Sequence, residues 1–150
     1  MRSTIAVVAM VVAAGTVLLA HVGVAPRESK LGDTETYTFS VPSEGGMSTN
    51  VVVLDVPDGV TVTSVSAPDG ATHEETKEGD RIVQITWKVA IKSGTSAKLS
   101  LVGKNPSNGT EIVWKIHQKY TDGMSSDWVG VGGSRNPAPV TKLVPSAGAQ

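Results

Sequence analysis

Apolar and polar residues alternate along most of this chain with a period of two. Three segments show the alternation most clearly, at residues 35–42, 81–91 and 110–120. Their apolar positions are Tyr37, Phe39 and Val41, then Val83, Ile85, Trp87, Val89 and Ile91, then Ile112, Trp114, Ile116 and Tyr120. Such alternation is typical of β-strands that bury one face and expose the other. The pattern therefore predicts strands with a one-sided core, and it places Trp87 and Trp114 in that core.

Turn-forming residues separate the apolar segments at short intervals. Pairs such as Asp58-Gly59 and Asp69-Gly70 favour tight turns, while the valine and threonine between them favour strands. The predicted strands are residues 21–26, 35–42, 49–56, 59–66, 71–76, 81–91, 95–103, 110–120 and 138–144. Many short strands with frequent turns are typical of β-sandwiches. We therefore predict an all-β fold, an immunoglobulin-like β-sandwich that forms one domain over residues 21–144.

The segment 1–20 differs from the rest of the chain. A short start that carries Arg2 precedes an apolar run between Ile5 and Leu19, and the small residue Ala20 ends it. This layout is typical of a secretory signal peptide, and the run is shorter than the ~20 residues of a membrane-spanning helix. We expect residues 1–20 to be a signal peptide that is cleaved after Ala20. An uncleaved N-terminal anchor is the alternative.

Composition limits the function classes to which the mature chain can belong. Cysteine is absent, which excludes disulfides and thiolate metal ligands. The formal charge of −1 becomes one unit more negative when Arg2 leaves with the leader, and no basic patch is evident, so nucleic acid is not an expected partner. Residues 145–150 are small and polar and predict a flexible tail. We expect an extracytoplasmic protein, periplasmic or secreted, with no membrane span in its mature chain.

Cleavage after Ala20 would make His21 the first residue of the mature protein. An N-terminal histidine offers a metal two nitrogen donors, a free amine with a pKa of ~8 and a ring nitrogen. That pair suits Cu(II), which prefers tetragonal nitrogen and oxygen ligands, whereas Zn²⁺ usually takes three or four protein ligands in a tetrahedron. Cu(I) would favour sulfur, and Met47 and Met124 form no methionine cluster. His21 is thus a candidate Cu(II) ligand; a polar first residue without a metal role is the alternative.

The pairing of the first two predicted strands indicates a carboxylate ligand near His21. If these strands form a hairpin centred near residue 32, the position opposite His21 lies close to Glu44. Glu35 is the competing carboxylate, but it lies at the turn end of the returning strand, roughly 30 Å away in extended chain. Glu44 is therefore the preferred oxygen ligand, and an ordinary loop carboxylate is the alternative interpretation of it.

The remaining histidines and one tryptophan are less informative. His117 has the outward parity of a strand face, and His73 lies in a predicted edge strand, so we expect both imidazoles to be exposed to solvent. A two-histidine brace is therefore not expected. Trp128 falls in a segment with the composition of a loop, where it either covers a cation through its ring face or closes the end of the sandwich. The residues alone favour the second role.

Taken together, these features resemble the YcnI-like copper-binding family, a bacterial domain formerly of unknown function. The segments that carry the resemblance are Ala20-His21-Val22-Gly23-Val24 with Pro26, Gly32, the strand from Glu35 to Glu44, Val56-Pro57-Asp58-Gly59-Val60, Ile85-Thr86-Trp87-Lys88, Tyr120-Thr121-Asp122-Gly123, Trp128-Val129-Gly130 and Pro137-Ala138-Pro139. The chain departs from the usual pattern of the family at residues 69–71 and 89–94, both away from the candidate ligands.

The resemblance implies a β-sandwich that binds one Cu(II) through a single-histidine brace. The ligands that it implies are the amine and ring of His21 and the carboxylate of Glu44, with Trp128 beside the metal. It also implies copper handling outside the cytoplasm, with a copper transporter or another copper chaperone as the candidate partner.

Three functions compete on these observations. The first is a non-enzymatic, exported protein that sequesters copper or passes it to a partner. The second is a copper-dependent oxidative enzyme on the same brace, which is disfavoured because no second histidine ligand and no catalytic set are apparent. The third is a metal-free adhesion or carbohydrate-binding sandwich, which is disfavoured by the scarcity of exposed aromatic residues in a chain with 4% aromatics.

Overall fold

A computed structural model describes residues 20–146 of the chain. The predicted leader, 1–20, lies outside the described residues except for Ala20, and the predicted tail, 145–150, lies outside them except for its first two residues. Secondary structure within the described range consists of strands and turns. Residues 20–146 contain no helix that is long and apolar enough to cross a membrane.

The described part of the chain forms twelve β-strands. They are β1 (Gly23–Ala25), β2 (Glu28–Lys30), β3 (Thr34–Pro42), β4 (Thr49–Asp55), β5 (Thr61–Ser66), β6 (Thr72–Glu78), β7 (Arg81–Ile91), β8 (Ser96–Lys104), β9 (Glu111–Val113), β10 (Lys115–Tyr120), β11 (Ser125–Trp128) and β12 (Val140–Val144). They form a four-stranded sheet with the order β1-β3-β8-β5, a five-stranded sheet with the order β11-β10-β4-β7-β6 and a small sheet with the order β2-β12-β9. Within these sheets, only β2 and β12 pair in parallel.

One hydrophobic cluster joins inward-facing residues of all three sheets. Its members include Tyr37, Phe39 and Leu101 from the four-stranded sheet, Leu54 and Ile85 from the five-stranded sheet, and Ile112 and Leu143 from the small sheet. Trp87 and Trp114 belong to the same cluster and are only 1% and 0% exposed, which confirms their predicted place in the core. The all-β class predicted from the alternation is confirmed as well.

One predicted strand is two strands in the structure. Residues 110–120 divide into β9 and β10, which belong to different sheets, and Trp114 is the residue between them. Its indole N–H donates a hydrogen bond of 3.1 Å to Thr141 Oγ1 in the small sheet. Because the inward parity continues through the break, the sequence pattern does not show where the chain changes sheets.

A bulge shifts the parity at the start of β7. Thr76 pairs with Gln84 but Lys77 pairs with Ile82, so Val83 is an extra residue in the ladder. Ile82 is consequently buried, whereas Val83, which the alternation assigns to the apolar face, is only half-buried.

Two short strands have no counterpart in the predicted set. β2 pairs with β12, and β11 pairs with β10 across a tight turn that contains Gly123. Their sequences, ESK and SSDW, are mostly polar, so hydrophobic alternation does not reveal them. β11 is important for the site described below because it ends on Trp128.

Candidate metal centre

Antiparallel pairing of β1 with β3 brings His21 to the Glu44 end of β3. The register pairs Gly23 with Ser40. Continued outward by two residues, this register sets His21 opposite Pro42, two positions before Glu44. The pairing predicted from the sequence is thus confirmed, but the connection is not a simple turn, because β2 departs from it to pair with β12.

Glu44 directs its carboxylate at the backbone of the predicted cleavage junction. Its Oε1 accepts a hydrogen bond of 3.1 Å from the backbone N–H of Ala20, the residue before His21. Glu35 lies at the other end of β3, where its Oε2 accepts a hydrogen bond of 2.8 Å from the Ser29 hydroxyl. Of the two carboxylates considered, the structure therefore brings Glu44 to His21.

Trp128 is the last residue of β11, so its predicted placement in a loop is wrong. It pairs with Ile116 in the β10–β11 hairpin, and its side chain shares the inward parity of that residue, with 7% of Trp128 exposed. The ring centroids of His21 and Trp128 are 5.9 Å apart, with an angle of 57° between the ring planes. The indole therefore closes one end of the core and also flanks the imidazole.

These side chains line one pocket of about 150 Å³. The residues around it are Ala20, His21, Pro42, Glu44, Tyr120, Ser126, Trp128, Arg135 and Asn136. Of the residues that the structure describes, those around this pocket include no methionine and no second histidine. An imidazole and a carboxylate are its strongest side-chain donors for a metal.

Side chains alone provide few donors at this site. Within residues 20–146, no group of three or more histidine, aspartate or glutamate side chains is placed to hold a metal ion. The imidazole of His21 and the carboxylate of Glu44 could supply two donors, and the backbone nitrogen of His21 is a candidate third. Cleavage after Ala20 would remove the Ala20 N–H that now donates to Glu44. It would also turn the backbone nitrogen of His21 into a free amine, which binds a metal after losing a proton. The resulting set of two nitrogens and one oxygen fits Cu(II).

The sequence pattern does not single out Gln118, a buried polar residue beneath the pocket. Its side chain is completely buried, and its Oε1 accepts a hydrogen bond of 3.0 Å from Trp128 Nε1. Its amide nitrogen donates to the Pro42 carbonyl and to the Thr49 hydroxyl. The signal in the sequence is its parity, since Gln118 occupies an inward position of β10, where an apolar residue is expected.

His117 lies on the outer face of β10, as its parity predicts, but two carboxylates take the place of the expected solvent. Its Nδ1 is 2.7 Å from Asp127 Oδ1, and its Nε2 is 2.8 Å from Asp55 Oδ2. Burial disfavours the charged imidazole, but the hydrogen bonds to Asp127 and Asp55 outweigh burial and raise the pKa of His117. His73 is exposed in the edge strand β6, as predicted. Neither histidine lines the pocket at His21.

Comparison with solved structures confirms the predicted fold. An uncharacterized protein from Nocardia farcinica, described as having an immunoglobulin-like fold, matches with a TM-score of 0.70 at 22% identity, over 82% of this chain and 97% of that one. A non-cellulosomal cohesin from the hyperthermophilic archaeon Archaeoglobus fulgidus matches with a TM-score of 0.51 at 14% identity, over 83% of this chain and 90% of that one. At these identities the likeness concerns the fold alone.

The fold and the pocket define an immunoglobulin-like β-sandwich with candidate metal ligands at one end. The chain belongs to the family described as a domain of unknown function, DUF1775, which matches residues 21–143. It is also similar to a protein of Bacillus subtilis (strain 168) named copper-binding protein CutI, with 35% identity over 127 residues, 83% of this chain and 62% of that protein. The chain thus spans less than two thirds of the length of that relative. These matches confirm the family resemblance found in the sequence.

Proposed function

We propose that this chain is an exported copper-binding protein whose mature N terminus holds one Cu(II) ion. In this proposal, cleavage after Ala20 frees the amine of His21. The amine and ring of His21 and the carboxylate of Glu44 bind the ion, and Trp128 flanks it. The observation that carries the proposal is the convergence of His21, Glu44 and Trp128 on one pocket from three separate parts of the chain.

The donor chemistry supports copper in its divalent state. Cu(II) prefers nitrogen and oxygen ligands in tetragonal geometry and heads the affinity order of the divalent first-row metals. Cu(I) favours thiolate and thioether sulfur, but the chain has no cysteine, and neither Met47 nor Met124 lines the pocket. The printed name of the Bacillus relative, a copper-binding protein, supports the same metal.

A non-enzymatic role in copper trafficking or sequestration suits a site at the protein surface. His21 is exposed, so a partner can reach the ion from solvent. A copper transporter or another copper chaperone outside the cytoplasm is the kind of partner that this role implies. A copper-dependent oxidative enzyme on the same brace has less support, because neither His73 nor His117 lines the pocket as a second histidine ligand.

The test compares Cu(II) uptake by three forms of the protein, by competition with a chelator of known affinity. The mature form, shown by intact mass to begin at His21, is expected to bind about one Cu(II). His21→Ala removes the imidazole and is expected to abolish tight binding. A form that keeps residues 16–20 in front of His21 retains both side-chain ligands but moves the free amine away, and it is expected to lose tight binding as well.

One further variant tests the carboxylate ligand, and another serves as the control. Glu44→Gln keeps the size of the side chain but weakens its oxygen donor, so we expect weaker but measurable binding through the two nitrogens. His117→Gln changes a histidine outside the pocket and is expected to bind copper like the unchanged protein. Unchanged affinity in the form that keeps residues 16–20 would contradict the brace. A large loss in His117→Gln would point to a different histidine as the ligand.

A further inference from the structure

We propose that Gln118 is a positioning residue of the copper site, which ties Trp128 to the segment that leads into Glu44. This role rests on the proposed function and adds a residue that touches neither the metal nor its ligands. Gln118 is completely buried at an inward position of β10. Burial of an amide is strongly unfavourable unless its donors and acceptor are hydrogen-bonded, so the partners of Gln118 account for its presence there.

On one side, Gln118 holds the indole. Its Oε1 accepts a hydrogen bond of 3.0 Å from Trp128 Nε1 and a longer one of 3.4 Å from the Tyr120 hydroxyl. The same hydroxyl lies 3.0 Å from Ser126 Oγ in β11. Because an indole has a single N–H donor, its bond to Gln118 sets the orientation of the ring that lies 5.9 Å from the ring of His21.

On the other side, Gln118 holds the end of β3. Its Nε2 donates to the Pro42 carbonyl at 2.7 Å and to Thr49 Oγ1 at 2.6 Å. Pro42 is the last residue of β3 and lies two positions before Glu44. One amide group therefore contacts both the backbone that carries the carboxylate ligand and the indole that flanks the imidazole.

The hydroxyl groups of Thr49 and Ser43 extend this hydrogen-bonded network across the loop that contains Glu44. Ser43 Oγ donates to the Met47 carbonyl at 2.8 Å, which uses its only proton. Thr49 is therefore the donor in the 2.9 Å contact between its hydroxyl and that of Ser43, and its oxygen accepts from Gln118. Among residues 20–146, every buried side-chain polar atom has a partner. Exchange of the Gln118 amide for an apolar group would leave several of these groups unpaired.

Asn105 offers a matched control at the opposite end of β3. It is also a buried amide, only 3% exposed. Its Oδ1 accepts from the Tyr37 hydroxyl at 2.6 Å, and its Nδ2 donates to Ser29 Oγ at 2.9 Å. Asn105→Leu therefore disrupts a comparable buried network without touching the pocket at His21.

The experiment measures the Cu(II) affinity and the electron paramagnetic resonance (EPR) spectrum of the mature protein and its variants. Gln118→Met replaces the amide by an apolar chain of similar length, and we expect binding to weaken about 10–100-fold, as is typical when residues that orient a metal site are changed, with an altered copper hyperfine pattern. Thr49→Val breaks only the loop side and is expected to cause a smaller loss of the same kind. Asn105→Leu is expected to lower the stability comparably while it keeps the affinity and the spectrum of the unchanged protein.

The outcomes distinguish a role of Gln118 in positioning the copper site from a role in stability alone. Unchanged affinity and spectrum in Gln118→Met would overturn the role of Gln118 alone; if that variant does not fold, the same result in Thr49→Val would overturn it. An equal loss of affinity in Asn105→Leu would also overturn it, because general stability would then control binding. Absence of Cu(II) uptake by the unchanged mature protein would overturn the proposed function, and the role of Gln118 with it.

Discussion

Each end of the sandwich contains a buried, hydrogen-bonded amide, but only one of the two lies beneath the pocket at His21. At one end, Asn105 accepts a hydrogen bond from Tyr37 and donates one to Ser29. At the other end, Gln118 accepts a hydrogen bond from Trp128 and donates to the end of β3. Each amide thus pairs buried polar groups at one end of the β-sandwich through the same kind of hydrogen bonds.

The ends differ in what each network touches. The Asn105 network joins Tyr37, whose ring lies 4.7 Å from that of Trp114 between centroids, to Ser29 and through it to the half-buried Glu35. None of these residues lines the pocket at His21. The Gln118 network ends at Trp128, whose ring flanks the exposed His21. A buried amide therefore stabilises the fold at the Asn105 end, and at the Gln118 end it can also orient a surface site.

The largest expected effect is a loss of stability at the Asn105 end. Asn105→Leu leaves the buried hydroxyl of Tyr37 without its acceptor, and we expect a decrease of about 2–4 kcal/mol in the free energy of unfolding. The Tyr37 hydroxyl carries its proton at neutral pH because its ordinary pKa is ~10, and burial raises that pKa further. Urea unfolding of the copper-free protein measures the effect. A decrease below about 0.5 kcal/mol would show that this network does not stabilise the fold.

At the Gln118 end, the main effect should appear in copper binding. Trp128→Phe removes the indole N–H that Gln118 accepts but keeps an aromatic ring beside His21. We expect the Cu(II) affinity to fall about tenfold, which is the low end of the range for residues that orient a metal site. We also expect most of the copper-dependent quenching of tryptophan fluorescence to disappear, because paramagnetic Cu(II) quenches an indole only at short range.

Trp87→Phe is the matched control for this variant. The indole of Trp87 also donates one hydrogen bond, of 2.9 Å to the Ser66 carbonyl, but its ring does not line the pocket. Its loss should affect stability and leave both the affinity and the quenching intact. Quenching that persists in Trp128→Phe and disappears in Trp87→Phe would place the copper elsewhere.

Hydrophobic alternation predicts most of the strands because a one-sided core makes burial visible as apolar residues. It fails where a buried residue is polar or where a strand is mostly polar. Gln118 is buried but polar, and β11 is polar except for Trp128, so neither stands out in the pattern. The prediction for Val83 fails for another reason, because a bulge shifts the register there and nothing in the sequence pattern marks it.

The candidate site is predictable from the sequence only in part, for a topological reason. His21 lies two residues before β1 and Glu44 two residues after β3. These two strands pair directly, with only the short β2 between them in the chain, so counting residues from the connection brings His21 and Glu44 together. Trp128 and Gln118 reach the same place through β10, which pairs with both β4 and β11. That neighbour relation depends on the order of strands in the sheet, and no local pattern encodes it.

Between the two ends, the outer face of the five-stranded sheet carries an ion-pair group that should respond to pH. Burial opposes the ionisation of Asp55, but hydrogen bonds from Gln84 and His117 outweigh burial and lower the pKa of that carboxyl. The raised pKa of His117 makes its contribution to stability complete below its ordinary value of ~6.5, and the contribution is lost as the pH rises through the raised value. The contribution of Asp55 is present above its ordinary value of ~3.9 and is lost as the pH falls through the lowered value.

His117→Gln is therefore expected to reduce the free energy of unfolding most between about pH 4 and 6.5, and much less at pH 8.5. These groups are partly exposed, so the difference should stay below about 1 kcal/mol. Unfolding of the copper-free protein at pH 5.5 and 8.5 measures it. His73→Gln, at an exposed histidine 3.6 Å from Glu75, is the control with a smaller expected change. A larger loss at pH 8.5 than at pH 5.5 would contradict the expected pH dependence of the contribution of His117 to stability.

The smallest expected effect concerns the charge at the rim of the pocket at His21. Arg135 is exposed and lines the pocket with Glu44, so its positive charge opposes the binding of a cation there. Arg135→Gln is expected to raise the Cu(II) affinity about two- to threefold at low salt, the scale of an exposed charge interaction, whereas Lys104→Gln at the Asn105 end should change nothing. The gain should vanish near 1 M salt, where the screening length is about 3 Å. A gain that persists at high salt would mean that Arg135 acts by its shape, and a loss of affinity would mean that its guanidinium holds Glu44 in place.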